Sequence, residues 1–118
     1  MTYKNGSVGG DITLRIHYYR PDGNYTGWEA WLWDAGNYVS TNPSGAFPFE
    51  WINGEMVCTV NLQPGTSTVG FVIRYGNWVD KDIHEIQYID LSGIWRGTVD
   101  VYITSGWYGY DMIEFDII

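Results

Sequence analysis

The stretch RIHYYRPDGNYTGWEAWLW, residues 15–33, decides the fold. It reads as a strand, a reversal and a second strand. Ile16 and Tyr18 alternate with Arg15, His17 and Tyr19, the period of two that marks a half-buried strand. Arg20-Pro21-Asp22-Gly23-Asn24 turns the chain, because proline restricts φ and Asp-Gly supplies the reversal. The second strand then sets Trp28, Ala30 and Leu32 on one face and Glu29, Trp31 and Trp33 on the other. The first face suits a core. The second puts two indoles beside a carboxylate, which suits neither a core nor a soluble surface, and paired exposed aromatics mark a place for a partner.

The same alternation extends outward in both directions. Ile12 and Leu14 continue the inner face of the first strand upstream, and residues 1–10 are polar and Gly-rich, a linker or lead-in from something larger. Downstream, Asp34 to Gly45 is a loop rich in Asn, Ser, Gly and Pro, and Ala46 to Glu50 is a short strand with Phe47 and Phe49 on one side. Asn53-Gly54 is a hairpin signal, leading into Met56, Cys58, Val60 and Leu62 on one face. After Pro64-Gly65, TVGFVIRYG is apolar on both faces for part of its length, as a central strand would be. Ile86 to Leu91 and Thr98 to Thr104 are further strands, and residues 110–118 alternate again. Seven or eight short strands between turn signals predict an all-β fold, an antiparallel β-sandwich of immunoglobulin-like type. Residues 11–106 form that module, and residues 107–118 are an added edge strand or a connection to a next domain.

Composition agrees and excludes several functions. The 118 residues include 15 glycines, 7 tryptophans and 10 tyrosines, with only 17% charged residues, an aromatic and turn-rich mixture that favours strands. Fourteen acids against 6 Lys and Arg give a net charge of −8. Such a surface repels phosphate backbones, so nucleic acid is not the expected partner. Cys58 is the only cysteine, which excludes an internal disulfide, and no Cys/His spacing fits a metal or cofactor. No apolar run approaches the ~20 residues of a membrane span, and the start does not read as a signal peptide.

Two clusters carry chemistry. Trp31 and Trp33 lie about 7 Å apart on a strand that rises roughly 3.3 Å per residue. A sugar ring, flat and lined with weakly polarised C–H groups, fits such a pair, unless the sandwich or the following loop buries it. Trp78 stands in the polar loop Asn77-Trp78-Val79-Asp80-Lys81-Asp82, where Lys81 offers donors and Asp82 acceptors to sugar hydroxyls, or else forms an ordinary solvated charge cluster. Asp80, Asp82 and Glu85 lack the spacing of an EF-hand Ca²⁺ loop, and nothing marks one of them as the raised-pKa acid that glycoside hydrolysis needs. No catalytic residue is expected. His17 and His84 read as structural. Trp28, Trp51, Trp95 and Trp107 read as packing or edge residues.

Two of these stretches resemble a known family. IHYYRPDGNYTGW followed by the Trp31-Leu32-Trp33 pair is similar to the opening of the pullulanase-associated carbohydrate-binding module, family 41. VGFVIRYGNWVDKD resembles the same family's V-G-hydrophobic-R-x-x-x-W-x-x-K-D segment, and VDVYITSG extends the match across most of residues 11–106. The resemblance implies a β-sandwich that binds α-1,4/α-1,6-glucans (starch, glycogen, pullulan, maltooligosaccharides) without catalysis. It assigns contact with sugar to Trp31, Trp33, Trp78, Lys81 and Asp82. It also implies a parent amylase or pullulanase domain in the same chain and an extracellular or cell-surface location. A protein-interaction module anchored by the same tryptophans is the alternative.

Overall fold

The computed structural model describes residues 11–36, 38–94 and 96–115. The expected linker at residues 1–10, Trp95 and the last residues of the tail lie outside them. Ten strands run in order: β1 (Ile12–Tyr19), β2 (Trp28–Asp34), β3 (Gly45–Pro48), β4 (Glu50–Ile52), β5 (Glu55–Leu62), β6 (Thr68–Tyr75), β7 (Asp80–Lys81), β8 (Gln87–Asp90), β9 (Gly97–Thr104) and β10 (Asp111–Phe115). They form two five-stranded sheets. One has the order β10-β9-β1-β5-β4, and the other β3-β2-β6-β7 with β8 also paired to β6.

The alternation in the sequence becomes the core. Ile12, Leu14, Ile16 and Tyr18 of β1, Cys58, Val60 and Leu62 of β5, and Val99, Val101 and Ile103 of β9 face inward from the first sheet. Ala30 and Leu32 of β2, Val69, Phe71 and Ile73 of β6, and Ile89 of β8 meet them from the second. Burial pushes the Cys58 thiol up to about 12, so it is inert at neutral pH. β6 is a central strand, paired with β2 along one edge and with β7 and β8 along the other. It is buried on both faces over most of its length, by the core on one and by tryptophan rings on the other.

Three features depart from the expected plan. The strand count is ten rather than seven or eight, in part because the strand expected over Ala46 to Glu50 is two strands in different sheets. The switch comes after Pro48, which has no N–H to continue a ladder. Trp78 is followed by a two-residue strand, β7, where a loop was expected. The sandwich is also not wholly antiparallel, since β1 runs parallel to β9 from Ile12↔Gly97 to Tyr19↔Thr104. A parallel neighbour cannot be joined by a tight turn, so the chain visits the second sheet before returning as β9. β10 then pairs with β9 at the edge of the first sheet, and the Tyr110 ring before it lies edge-on to Phe71 at 6.1 Å.

Candidate functional site

The outer face of the second sheet carries the tryptophan cluster. Cross-strand partners share a face, so the register sets Trp33, Gly70 and Tyr88 in one row across the sheet, Trp31 and Val72 in the next, and Glu29, Arg74 and Lys81 in a third. Gly70 makes the first row possible. A Cβ on it would lie 2.3 Å from the Trp33 ring, so the indole lies down over bare backbone. Tyr88, 53% exposed, stands on the far side of that glycine.

Arg74 organises the other two rows. Its Nε donates to Glu29 Oε1 at 2.9 Å, and its Nη2 reaches the same oxygen at 2.8 Å. Nη1 donates to Asn77 Oδ1 at 3.4 Å. The guanidinium carbon lies 4.6 Å from the Trp31 ring centre and 4.9 Å from that of Trp78. The two indoles lean together, with centroids 5.1 Å apart and planes at 59°. Trp78 reaches this position from the turn between β6 and β7, where Gly76 has φ 57° and Trp78 itself φ 64°. A left-handed tryptophan is rare and costs about 1–3 kcal/mol, a strain that fixed functional side chains often carry. Trp78 is 44% exposed, and Trp31 and Trp33 are half-buried. The result is a stiff, bent aromatic surface with its charges neutralised internally.

Lys81 and Asp82 part company. Lys81 pairs with Arg74 and shares the outer face, half-buried at its edge. Asp82, just past the end of β7 but with its N–H still donating to Ile73 O at 2.9 Å, points the other way, as the next residue of an extended chain does. Its side chain is 6% exposed. Oδ1 accepts from Gly106 N at 2.7 Å and Ser105 Oγ at 3.1 Å, and Oδ2 accepts from the Tyr18 hydroxyl. Arg20 Nη1 donates to that hydroxyl at 2.8 Å. Burial and the Asp82 carboxylate push the Tyr18 phenol well above its ordinary range. The structure thus brings Trp31, Trp78 and Lys81 around Arg74, sets Trp33 in the neighbouring row, and turns Asp82 into the sandwich edge as a clamp.

The loop after β2 is tied back to Asp34 and to the turn between β5 and β6. Asp34 accepts from Gly36 N at 3.0 Å, Tyr38 N at 3.2 Å and Val39 N at 2.9 Å, and from the Asn42 amide at 2.6 Å. Although burial opposes it, these donors hold the Asp34 carboxyl below the usual carboxylate range. Asn42 in turn donates to Thr66 Oγ1 at 2.8 Å, which ties the loop to the turn between β5 and β6. Asp80 and Glu85 are exposed, Asp80 lies 3.7 Å from His84, and among the described residues no group of His, Cys, Asp and Glu is placed to hold a metal ion. Sequence reasoning missed Arg74, Gly70 and Tyr88. The pairing of Glu29 with Arg74 across two strands was the available signal, but it requires the register to be known.

A family model described as the bacterial pullanase-associated domain matches residues 12–109. Among solved structures, the chain is similar to the product complex of a multi-modular glycogen-degrading pneumococcal virulence factor, SpuA. That match has 23% identity and a TM-score of 0.57, and it covers 83% of this chain and 10% of that one. The chain is also similar to a structure described as α-glucan recognition by family 41 carbohydrate-binding modules from streptococcal virulence factors. Here identity is 18% and the TM-score 0.56, with 93% of this chain and 48% of that one covered. At these identities the likeness is one of fold, and the chain spans a tenth and about half of the two longer chains.

Proposed function

Because this chain belongs to the bacterial pullanase-associated domain family, we propose that it is a non-catalytic α-glucan-binding module that holds a parent amylase or pullulanase on its polysaccharide. The observation that supports the reading best is the cluster of Trp31, Trp33 and Trp78 on one sheet face, stiffened by Arg74. Trp31 and Trp33 stack on successive sugars, Trp78 closes one side, and Lys81 donates to hydroxyls. Asp82 supports the site from behind by fixing the segment that carries Lys81. Each stacking contact is worth on the order of 1 kcal/mol beyond area burial. A preformed surface has little ordering cost, but a shallow polar ligand leaves a modest net affinity, with Kd about 1 μM or weaker, or about −8 kcal/mol. Salt changes it little, because the ligand is neutral and Arg74 is already paired with Glu29. Attachment to a secreted or surface enzyme belongs to the same reading.

Isothermal titration with maltoheptaose, with cellohexaose as control, tests it on wild type and on a Trp31→Ala/Trp33→Ala variant. Saturable binding of the α-glucan alone, lost in the variant, is expected. Absence of binding to either sugar by wild type sinks the proposal. The protein-interaction reading then leads, favoured by the 72% exposure of Trp107 and 66% exposure of Tyr108 on the turn between β9 and β10.

A further inference from the structure

On the other sheet, between the β4–β5 hairpin and the β1–β2 turn, lies a groove of about 480 Å³. That volume falls within the roughly 300–1,000 Å³ of small-molecule sites. Trp51 and Tyr19 line it and are 62% and 59% exposed. Trp51 is not a loose surface ring. The Tyr25 ring meets Trp51 edge-on at 5.3 Å, and Tyr25 is itself held by the Arg20 N–H, which donates to its hydroxyl at 3.0 Å. Beside them His17 stacks on Tyr102 at 4.3 Å and 15°. The imidazole stands between two carboxylates, with Nε2 2.7 Å from Asp100 Oδ1 and Nδ1 3.2 Å from Glu55 Oε1. Glu55 is half exposed and also lines the groove.

We infer that this groove is a second, smaller saccharide site, which takes the end of a neutral α-glucan chain on the side of the sandwich opposite the tryptophan cluster. The chemistry selects the ligand class. Fixed aromatic rings offer faces for C–H groups, while Glu55 and the Tyr19 and Tyr102 hydroxyls offer partners for sugar hydroxyls. The local cations are committed, since Arg15 forks onto Asp100 at 2.7 and 2.8 Å and Arg20 closes on Asp22 at 3.1 Å. With Glu55 present and the chain at −8, an anionic ligand is repelled and a neutral, hydroxyl-rich one is not. The identity of the sugar rests on the α-glucan reading above; the second site goes beyond it. Two sites on opposite sheets bind two chain segments at once, so a weak second contact raises retention on a branched polysaccharide through effective concentration.

The test follows the tryptophan indole N–H resonances of the full chain, assigned by single Trp→Phe variants, during titration with maltotriose. The expected result is two sets of shifts. The Trp31 and Trp33 signals move first, and the Trp51 signal moves at higher sugar concentration. The Trp31→Ala/Trp33→Ala variant keeps the Trp51 response, and Trp51→Ala abolishes glycogen cross-linking while leaving the first site's affinity unchanged. A Trp51 signal that stays still at sugar concentrations about a hundredfold above those that saturate Trp31 and Trp33 overturns the second site and leaves the first standing. If none of the indoles moves, both readings fall. Concentration-dependent broadening of Trp51 without sugar would assign the groove to a second copy of the chain and overturn the proposal.

Discussion

One guanidinium touches a carboxylate and two indoles on the tryptophan face, and what Arg74 does there a lysine cannot. Arg74 is 8% exposed, so its charge is tolerated only because Glu29 and the two rings cover it. A lysine keeps the charge but has no planar fork to reach Glu29 and no flat face to lie between rings. Arg74→Lys is therefore expected to lower α-glucan affinity about tenfold, the equivalent of 1.4 kcal/mol, with the fold retained. Arg74→Ala also leaves Glu29 without its partner and should lower stability by about 2–3 kcal/mol. Calorimetric titration beside urea unfolding separates the two effects, and full affinity in the lysine variant would show that the indoles hold themselves. Gly70 makes the converse case. Its backbone is open to any residue in φ, yet a methyl there meets the Trp33 ring. Gly70→Ala should cost about 1–3 kcal/mol through overpacking, or lift the indole and weaken binding at little cost in stability. Near-UV circular dichroism and titration check this, and an unchanged spectrum with unchanged affinity would sink the account. Neither residue was legible as part of the site. The period of two places Trp31 and Trp33 together, but who lies across from them is a matter of register, which periodicity does not encode.

The strands of seven or eight residues, β1, β2, β5 and β9 by their alternation and β6 by its apolar run, stand close to where the sequence predicts them. What was not legible is pairing and brevity. β7 has two residues, too few for a pattern, and the parallel contact of β1 with β9 leaves no mark on either strand. Yet β7 explains the different fates of Lys81 and Asp82. Adjacency in a motif reads as adjacency in a site, but on a strand it means opposite faces. Asp82 then ties β7 to Tyr18 and to the turn after β9. Asp82→Asn should lower stability by about 1–3 kcal/mol and weaken glucan binding only as far as Lys81 is displaced. Unchanged stability with binding abolished would make Asp82 a direct sugar contact instead. The same logic applies to β10, which lies beyond the stretch matched by the family model. Tyr110 covers Phe71 and Met112 packs on the core, so removing residues 110–118 should lower the melting temperature by several degrees, at about 4–8 °C per kcal/mol for a domain near this size. An unchanged melting curve would show the strand to be a passenger.

Across the whole molecule two electrostatic effects compete as the solution is acidified, and their signs differ. A chain of net charge −8 repels itself at neutral pH, and that repulsion vanishes near its isoelectric point of about 4.3, so general charge alone would make the fold most stable there. Two specific carboxylates argue the other way. Asp34 clamps the loop after β2, and Asp100, 1% exposed, is closed by Arg15 and His17 on the first sheet. Burial works against both charges, but the donors around them win and hold both carboxyls below their ordinary range. In the unfolded chain an aspartate titrates near 3.9. Above that value both states are ionised and the stabilisation is complete. As pH falls below about 4 the unfolded chain takes up protons first, so stability drops until the folded carboxyls protonate too. These clamps act at short range in partly buried sites, whereas the surface charges are spread out and screened over about 8–10 Å at ordinary salt. The clamps should therefore dominate. Urea midpoints should stay level from pH 7 to about 4.5 and fall steeply between about 4 and 2. Asp34→Asn and Asp100→Asn should begin lower at pH 7 and fall less steeply in acid. A wild-type maximum near the isoelectric point, with variants running parallel to it, would show instead that net charge governs the acid stability of this fold.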